Sequence, residues 1–204
     1  MPERRKNMSS FLGPIHYWLY NKICLQEDLI RKGAEKAAAQ GWLSDLSSYV
    51  SEETRPLEQI IDTGNIHGWL QARISDSEDR LARLCAAILK DDPSRIKDLE
   101  ECGYEIGRGR RAQAGASAEE AYRLLEDSLL NGMPCDRVNS VTDRGEDHVS
   151  WVRNQNLHSA YWVNAGADPK VYDQLIGKLV EGMLSETGLV YRAAGPDEFE
   201  IMAA

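Results

Sequence analysis

The sequence predicts an all-α fold, a multi-helix bundle of about seven or eight helices with an internal duplication of a His- and Trp-containing helix. Apolar residues recur at helical spacing along most of the 204 residues. Familiar strand and α/β signals are missing from the sequence: there is no Asn-Gly hairpin with alternating flanks and no glycine-rich phosphate-binding motif. The third observation is a repeat, on which the functional predictions depend.

The repeat joins residues 13–28, GPIHYWLYNKICLQED, to residues 64–79, GNIHGWLQARISDSED. The two segments align without a gap at an offset of 51 residues. Half of the aligned positions are identical, including both rare types, Trp and His, which indicates an internal duplication. The identical pairs are Gly13/Gly64, Ile15/Ile66, His16/His67, Trp18/Trp69, Leu19/Leu70, Ile23/Ile74, Glu27/Glu78 and Asp28/Asp79.

Both copies are predicted to be helices near residues 13–30 and 64–81, with His and Glu at one edge of the apolar face. His and Glu of one copy are three turns apart, roughly 16 Å, so one helix cannot bring both to one metal ion. Antiparallel packing would bring His16 to Glu78 and His67 to Glu27. Parallel packing, or a crossing near the helix starts, would bring His16 to His67. These four residues are the first candidates for metal ligands.

The segments between and after the repeats supply further helices. Residues 42–50 and 52–61 are predicted as short helices, and the second repeat helix is predicted to run on to about Lys90. A stripe from Ile96 to Ile106 predicts the next helix. Ser117 and Glu120 form a capping-box pattern for a helix through Leu130. Cys135 lies in the constrained corner that follows, where a thiol can become a reactive ligand or remain a small packing residue.

Residues 148–162 are predicted as a helix with an unusual buried face, because polar His and Gln alternate with Trp on it. Buried polar groups need partners, so such a face commonly lines a pocket. His158 is accordingly the next metal candidate after the repeat residues. The predicted pocket residues are Trp18, Trp69, Tyr20, Trp151, Gln155, Trp162, His148 and Cys135.

A last helix is predicted from Asp168 to about Thr187. We expect one helical domain over residues 10–192, a flexible tail over residues 1–9 and a short acidic tail over residues 193–204.

The charge and the cysteine content of the sequence disfavour some classes of binding partner and indicate a cellular location. The net charge is −9 and the pI is about 5.0, which disfavours nucleic acid and anionic membrane as partners. Four dispersed cysteines and the lack of a leader or apolar span lead us to expect a cytoplasmic protein with reduced thiols. Homo-oligomerisation stays open.

The His-containing bundle is similar to the hemerythrin-like and DinB-like helical metal proteins, which place His and carboxylates on facing helices. No residue roles are carried over, because the sequence has neither the paired ExxH pattern of ferritin-like di-iron bundles nor HxxxH. The favoured function is binding of a metal ion (Fe, Zn or Mn) or haem iron through His on facing helices. The alternatives are a non-catalytic small-molecule sensor and a protein-interaction scaffold with structural His. Whether the protein is an enzyme stays open.

Overall fold

Helices and an antiparallel sheet together form the fold, in a computed structural model that describes residues 12–204. The all-α prediction is therefore wrong. The helices are α1 (Pro14–Ala39), α2 (Leu57–Ile60), α3 (Ile66–Leu89), α4 (Ile96–Gly109), α5 (Ala118–Ser128), α6 (Ser159–Asn164) and α7 (Lys170–Leu184). The strands are β1 (Asn139–Arg144), β2 (His148–Arg153), β3 (Leu189–Gly195) and β4 (Glu198–Ala203). The predicted tail at residues 1–9 lies outside the described residues.

The sheet has the strand order β1-β2-β4-β3, and all neighbours are antiparallel. Its inner face packs against α5 and α7 through Val149, Trp151, Phe199 and Ile201, which alternate with more exposed residues along β2 and β4. This is the period of two that a half-buried strand requires.

Two sequence predictions are corrected by the sheet. The helix predicted over residues 148–162 is strand β2, a short loop and helix α6. Residues 193–204, expected to be an acidic tail, form the end of β3 and all of β4. The C-terminal segment is therefore part of the core, because Ile201 of β4 is fully buried.

The repeat helices α1 and α3 pack on each other in parallel and in register. The rings of His16 and His67 lie 5.7 Å apart between centroids. Further along, Gln26 Nε2 donates a hydrogen bond of 3.1 Å to Ser77 Oγ. Both contacts join positions 51 residues apart and follow in the same order along both helices. The pair therefore has an approximate two-fold axis parallel to the helices, and the antiparallel alternative is excluded.

A long crossover, residues 40–65, connects these parallel helices. Only Leu57–Ile60 of this segment is α-helical, so the two short helices predicted at 42–50 and 52–61 are largely wrong. The guanidinium of Arg80 holds the crossover in place, because it bonds to the Glu27 carboxylate of α1 and to the carbonyl oxygen of Tyr49 at 3.0 Å.

Helices α4 and α7 approach each other at glycines. A Cβ added at Gly107 would lie 2.0 Å from the carbonyl oxygen of Leu179, and one added at Gly182 would lie 2.2 Å from that of Tyr104. Only glycine lets the two backbones come this close. This contact sets the spacing of α4 and α7, and α7 separately contacts β3 of the sheet.

The core is divided into two clusters. The main cluster contains residues from α1, α3, α4, α5, α6 and α7 together with β2 and β4. A smaller cluster lies at the beginnings of α1 and α3, around Leu19, Ile23, Leu70 and Ile74. None of the helices described in residues 12–204 has the length and apolar character needed to cross a membrane.

Candidate functional site

The predicted metal ligands fall into separate pairs. His16 contacts His67 near the starts of α1 and α3. Glu78 contacts His158 about three helical turns further along. Glu27 forms an ion pair with Arg80 instead of meeting a histidine. The five residues therefore do not converge on one point.

His16 has no lone pair to offer a metal ion. Its Nδ1 accepts a hydrogen bond of 3.0 Å from the backbone N–H of Gly13, which satisfies one of the free N–H groups at the start of α1. An imidazole that accepts at Nδ1 carries its proton on Nε2. His16 thus acts as a helix cap, and the pair of His16 and His67 does not fit the axial ligands of a haem.

No metal centre is found in the part of the chain that the structure describes. No group of three or more His, Cys, Asp or Glu residues there has a geometry that could hold a metal ion. The predicted ligands therefore do not form a metal site in the described chain, whereas binding of a metal ion or haem by the protein stays an untested prediction.

A buried pair of His158 and Glu78 is the strongest polar feature of the interior. His158 Nδ1 lies 3.0 and 3.1 Å from the two Glu78 carboxylate oxygens, and both side chains are 3% exposed. His158 Nε2 lies 3.1 Å from Asn131 Oδ1. The imidazole also stacks on the Tyr172 ring at 3.9 Å between centroids. Both ring nitrogens have partners, so His158 links Glu78 of α3 to Asn131.

The predicted pocket residues do not share one pocket. Tyr20 and Trp69 line a cleft beside the crossover, whereas Trp18 lines a different cleft. Trp151 packs in the aromatic cluster under the sheet, at 4.9 Å from Tyr122 between ring centroids. Trp162 is fully buried in α6, and its Nε1 has no hydrogen-bond partner among the described residues.

The remaining predicted residues lie near the surface. Cys135 is exposed in a short turn after α5. The exposed Gln155 donates a hydrogen bond from Nε2 to the carbonyl oxygen of Asp136. Asp143 and Asp147 flank the His148 ring and raise the pKa of its imidazole. None of the three predicted residues Cys135, Gln155 and His148 contributes to an enclosed site.

Sequence reasoning missed the lysine cleft, a cavity of about 320 Å³ between the first turns of α1 and the segment from α5 to β1. It lies within the usual size range of small-molecule sites, roughly 300–1,000 Å³. A smaller cavity of about 60 Å³ behind it shares Glu126, Asn131 and Asn139 with the cleft. The lysine cleft is lined by Trp18, Lys22, Glu126, Asn131, Gly132, Met133, Pro134, Arg137, Val138, Asn139 and Ser140.

Lys22 is the unusual charged residue of this cleft, because only 5% of its surface is exposed. Burial lowers the pKa of its ammonium from 10.5 to about 8, although the charges of Glu126 and Asp127 act in the opposite direction. The ammonium lies over the Trp18 ring, 3.6 Å from the centroid.

The neighbouring carboxylates have other partners. Asp127 accepts a hydrogen bond of 2.8 Å from Trp18 Nε1, and Glu126 accepts one of 2.9 Å from Asn139 Nδ2. Among the described residues, none accepts a hydrogen bond from the Lys22 ammonium. The cleft therefore presents a lysine that is largely buried and has no carboxylate partner among the described residues.

One sequence signal points to this cation. Trp18 and Lys22 are four residues apart, and the second copy repeats the spacing as Trp69 and Arg73. Residues four apart lie side by side on a helix, so each cation can cover its Trp ring. The repeat therefore preserved a cation–aromatic pair as well as His and Glu.

The chain matches no family model, no curated protein and no solved structure. The function is therefore inferred from the geometry and chemistry of the clefts.

Proposed function

We propose that the protein binds a small anionic molecule in the lysine cleft, as a non-catalytic binding protein or sensor. The carrying observation is Lys22 at the cavity wall, a largely buried residue whose ammonium forms no ion pair with a described carboxylate. A buried charge without a partner is costly, and a carboxylate or phosphate group would supply the missing acceptors.

The surrounding residues support a polar ligand of modest size. Asn131 and Asn139 supply amide groups at the wall, and the buried pair of His158 and Glu78 holds Asn131 in place. The Trp18 ring supplies an apolar surface beside the ammonium. Few polar groups around an apolar wall are typical of small-molecule sites.

The test is a screen of small carboxylates and phosphates by thermal shift, followed by calorimetric titration of the compounds that stabilise the protein. Ligands of the folded state raise the melting temperature by mass action. The expected result is binding by wild type and at least about ten-fold weaker binding by Lys22→Met, since one charged hydrogen bond is lost.

The repeat provides the matched control. Arg73→Met removes the equivalent cation from the other cleft and is expected to leave binding in the lysine cleft unchanged. Equal loss in both variants, or no loss in Lys22→Met, contradicts the proposal.

Affinity should also depend on pH in one direction. The free-state pKa of Lys22 is lowered to about 8, so the ammonium is progressively lost as the pH rises through that value. Affinity for the anion is therefore expected to fall above pH 8 in wild type and to stay flat in Lys22→Met. A wild-type profile as flat as that of the variant would remove Lys22 from the site.

A further inference from the structure

The second copy of the repeat has a cleft of its own. In α3 the Arg73 guanidinium lies 5.6 Å from the Trp69 ring centroid, at the positions equivalent to Lys22 and Trp18. These residues line a cavity of about 520 Å³ between α1, α3 and the crossover, which we call the arginine cleft. Residues 20, 24 and 27 of α1 line it too, on the helix face opposite to Trp18 and Lys22.

The two copies differ in what covers the equivalent face. In α1, the face that continues from Lys22 carries Leu25 and Leu29, which are buried in the main core. The equivalent residues of α3 are Asp76 and Arg80, and both line the arginine cleft. Helices fill the space beside α1, whereas the space beside α3 remains open under the crossover.

Four arginines and four carboxylates line the arginine cleft, and only one of these arginines has no ion pair among the described residues. Arg31, Arg55 and Arg80 form ion pairs with carboxylates that also line the cleft: Asp28, Glu53, Glu27 and Asp76. Arg73 forms no ion pair with any described residue. An incoming anion therefore finds an unpaired guanidinium, which presents two parallel N–H donors to a carboxylate or phosphate.

Aromatic rings lie beside this guanidinium. The Tyr20 ring lies 6.1 Å from that of Trp69 between centroids. Burial raises the pKa of Tyr20 to about 12 and raises that of the Cys24 thiol as well. Both groups are therefore uncharged near neutral pH and do not repel an anion.

We propose that the arginine cleft is a second ligand site, which binds a planar aromatic molecule that carries a carboxylate or phosphate group. Arg73 binds the anionic group, and the rings of Trp69 and Tyr20 contact the aromatic part. The cavity is larger than the lysine cleft, at about 520 against about 320 Å³, and takes a ring together with its charged substituent.

The experiment isolates the arginine cleft by working in a Lys22→Met background. Phenyl phosphate and benzoate are titrated calorimetrically into Lys22→Met and into the double variant Lys22→Met/Arg73→Met. The single variant is expected to bind one equivalent of at least one aromatic anion, and the double variant to bind it at least about ten-fold more weakly. Arg73 is exposed and unpaired in the described chain, so its replacement should not impair folding.

Two further probes separate the contribution of the aromatic ring from that of the anionic group. Inorganic phosphate lacks the ring and benzyl alcohol lacks the charge, so each should bind more weakly than phenyl phosphate. The relative affinities of phenyl phosphate and benzoate identify the preferred anion. If Lys22→Met binds neither aromatic anion, or the double variant binds as well as Lys22→Met, the second site is refuted. In Arg73→Met, which keeps Lys22, a loss of binding of the anions assigned to the lysine cleft would instead refute that first site.

Discussion

Equivalent residues of the two copies have acquired different partners. Glu27 pairs with Arg80, whose guanidinium also reaches Asp76 and the Tyr49 carbonyl oxygen. Glu78 pairs with His158 in the interior. The first pair ties the crossover to the helices, and the second joins α3 to the segment before α6. The repeated carboxylate position thus stabilises two different parts of the fold.

The buried pair of Glu78 and His158 leads to a prediction about the free energy of unfolding. Glu78→Ala leaves His158 without its partner in the interior, and such a loss costs about 3–5 kcal/mol. Glu27→Ala is the matched control and should cost less, because Arg80 keeps Asp76 and the Tyr49 carbonyl oxygen. Urea unfolding of both variants measures the difference. Equal losses would show that the pair of Glu78 and His158 contributes no more than the less deeply buried pair of Glu27 and Arg80.

At the scale of elements, the closest backbone approach joins α4 to α7, which also contacts β3 of the sheet. Gly103 and Gly107 lie one turn apart on α4 and face α7, and Gly182 of α7 faces α4. The backbones approach so closely that a methyl group would overlap with a carbonyl oxygen at Gly107 or Gly182. Leu179, one of the contacting residues, is buried in the main core.

Gly107→Ala is therefore expected to lower stability, by about 1–3 kcal/mol or more, since overpacking forces the helices apart. Gly109→Ala is the control on the same helix, because a Cβ there meets no atom within 4 Å. Alanine also favours helix over glycine, so this control should be neutral or slightly stabilising. Thermal melts followed by circular dichroism compare the two. A Gly107→Ala protein as stable as the control would mean that α4 and α7 can separate freely.

At the scale of the whole molecule, the helices and the sheet share one main core. Strand β4 lies between β2 and β3, and its Ile201 is fully buried beside residues of the helices. Because the core crosses the boundary between helices and sheet, we expect both to unfold together.

Ile201→Ala tests this shared core. It removes a buried side chain and should cost about 2–5 kcal/mol. The free energy of unfolding should fall equally when measured by helical circular dichroism and by hydrogen exchange of the backbone amides of the strands. A variant whose strand amides lose protection while the helical signal keeps the wild-type midpoint would show that the sheet unfolds separately.

The sequence predicted the helical part of the molecule better than the sheet. Helices α1 and α3 follow long periodic stripes, and Ser117 forms the expected capping box with Glu120. The strands are six or seven residues long. Over so short a length, apolar spacings of two and of three or four residues overlap: Trp151 fits a helix with His148 and equally fits a strand with Val149.

The clefts were harder to predict for a different reason. Lys22 is a surface residue type, and its burial depends on Glu126, Asn131 and other groups more than a hundred residues away. The repeated His and Glu were visible in the sequence, but their partners Arg80, His158 and the Gly13 N–H depend on packing and capping. Similar side chains at equivalent positions therefore did not imply a shared ligand.

The parallel packing of α1 and α3 also bears on how the chain could have arisen. A parallel helix pair with a two-fold axis is the arrangement of a homodimer, in which each residue on the axis meets its own copy. Gln26 and Ser77 occupy such a position, and one long and one short side chain form the hydrogen bond between them. A homodimer would place two glutamines or two serines there, overfilling the space or leaving it open. Joining both copies in one chain allows complementary residues where a homodimer allows only identical ones.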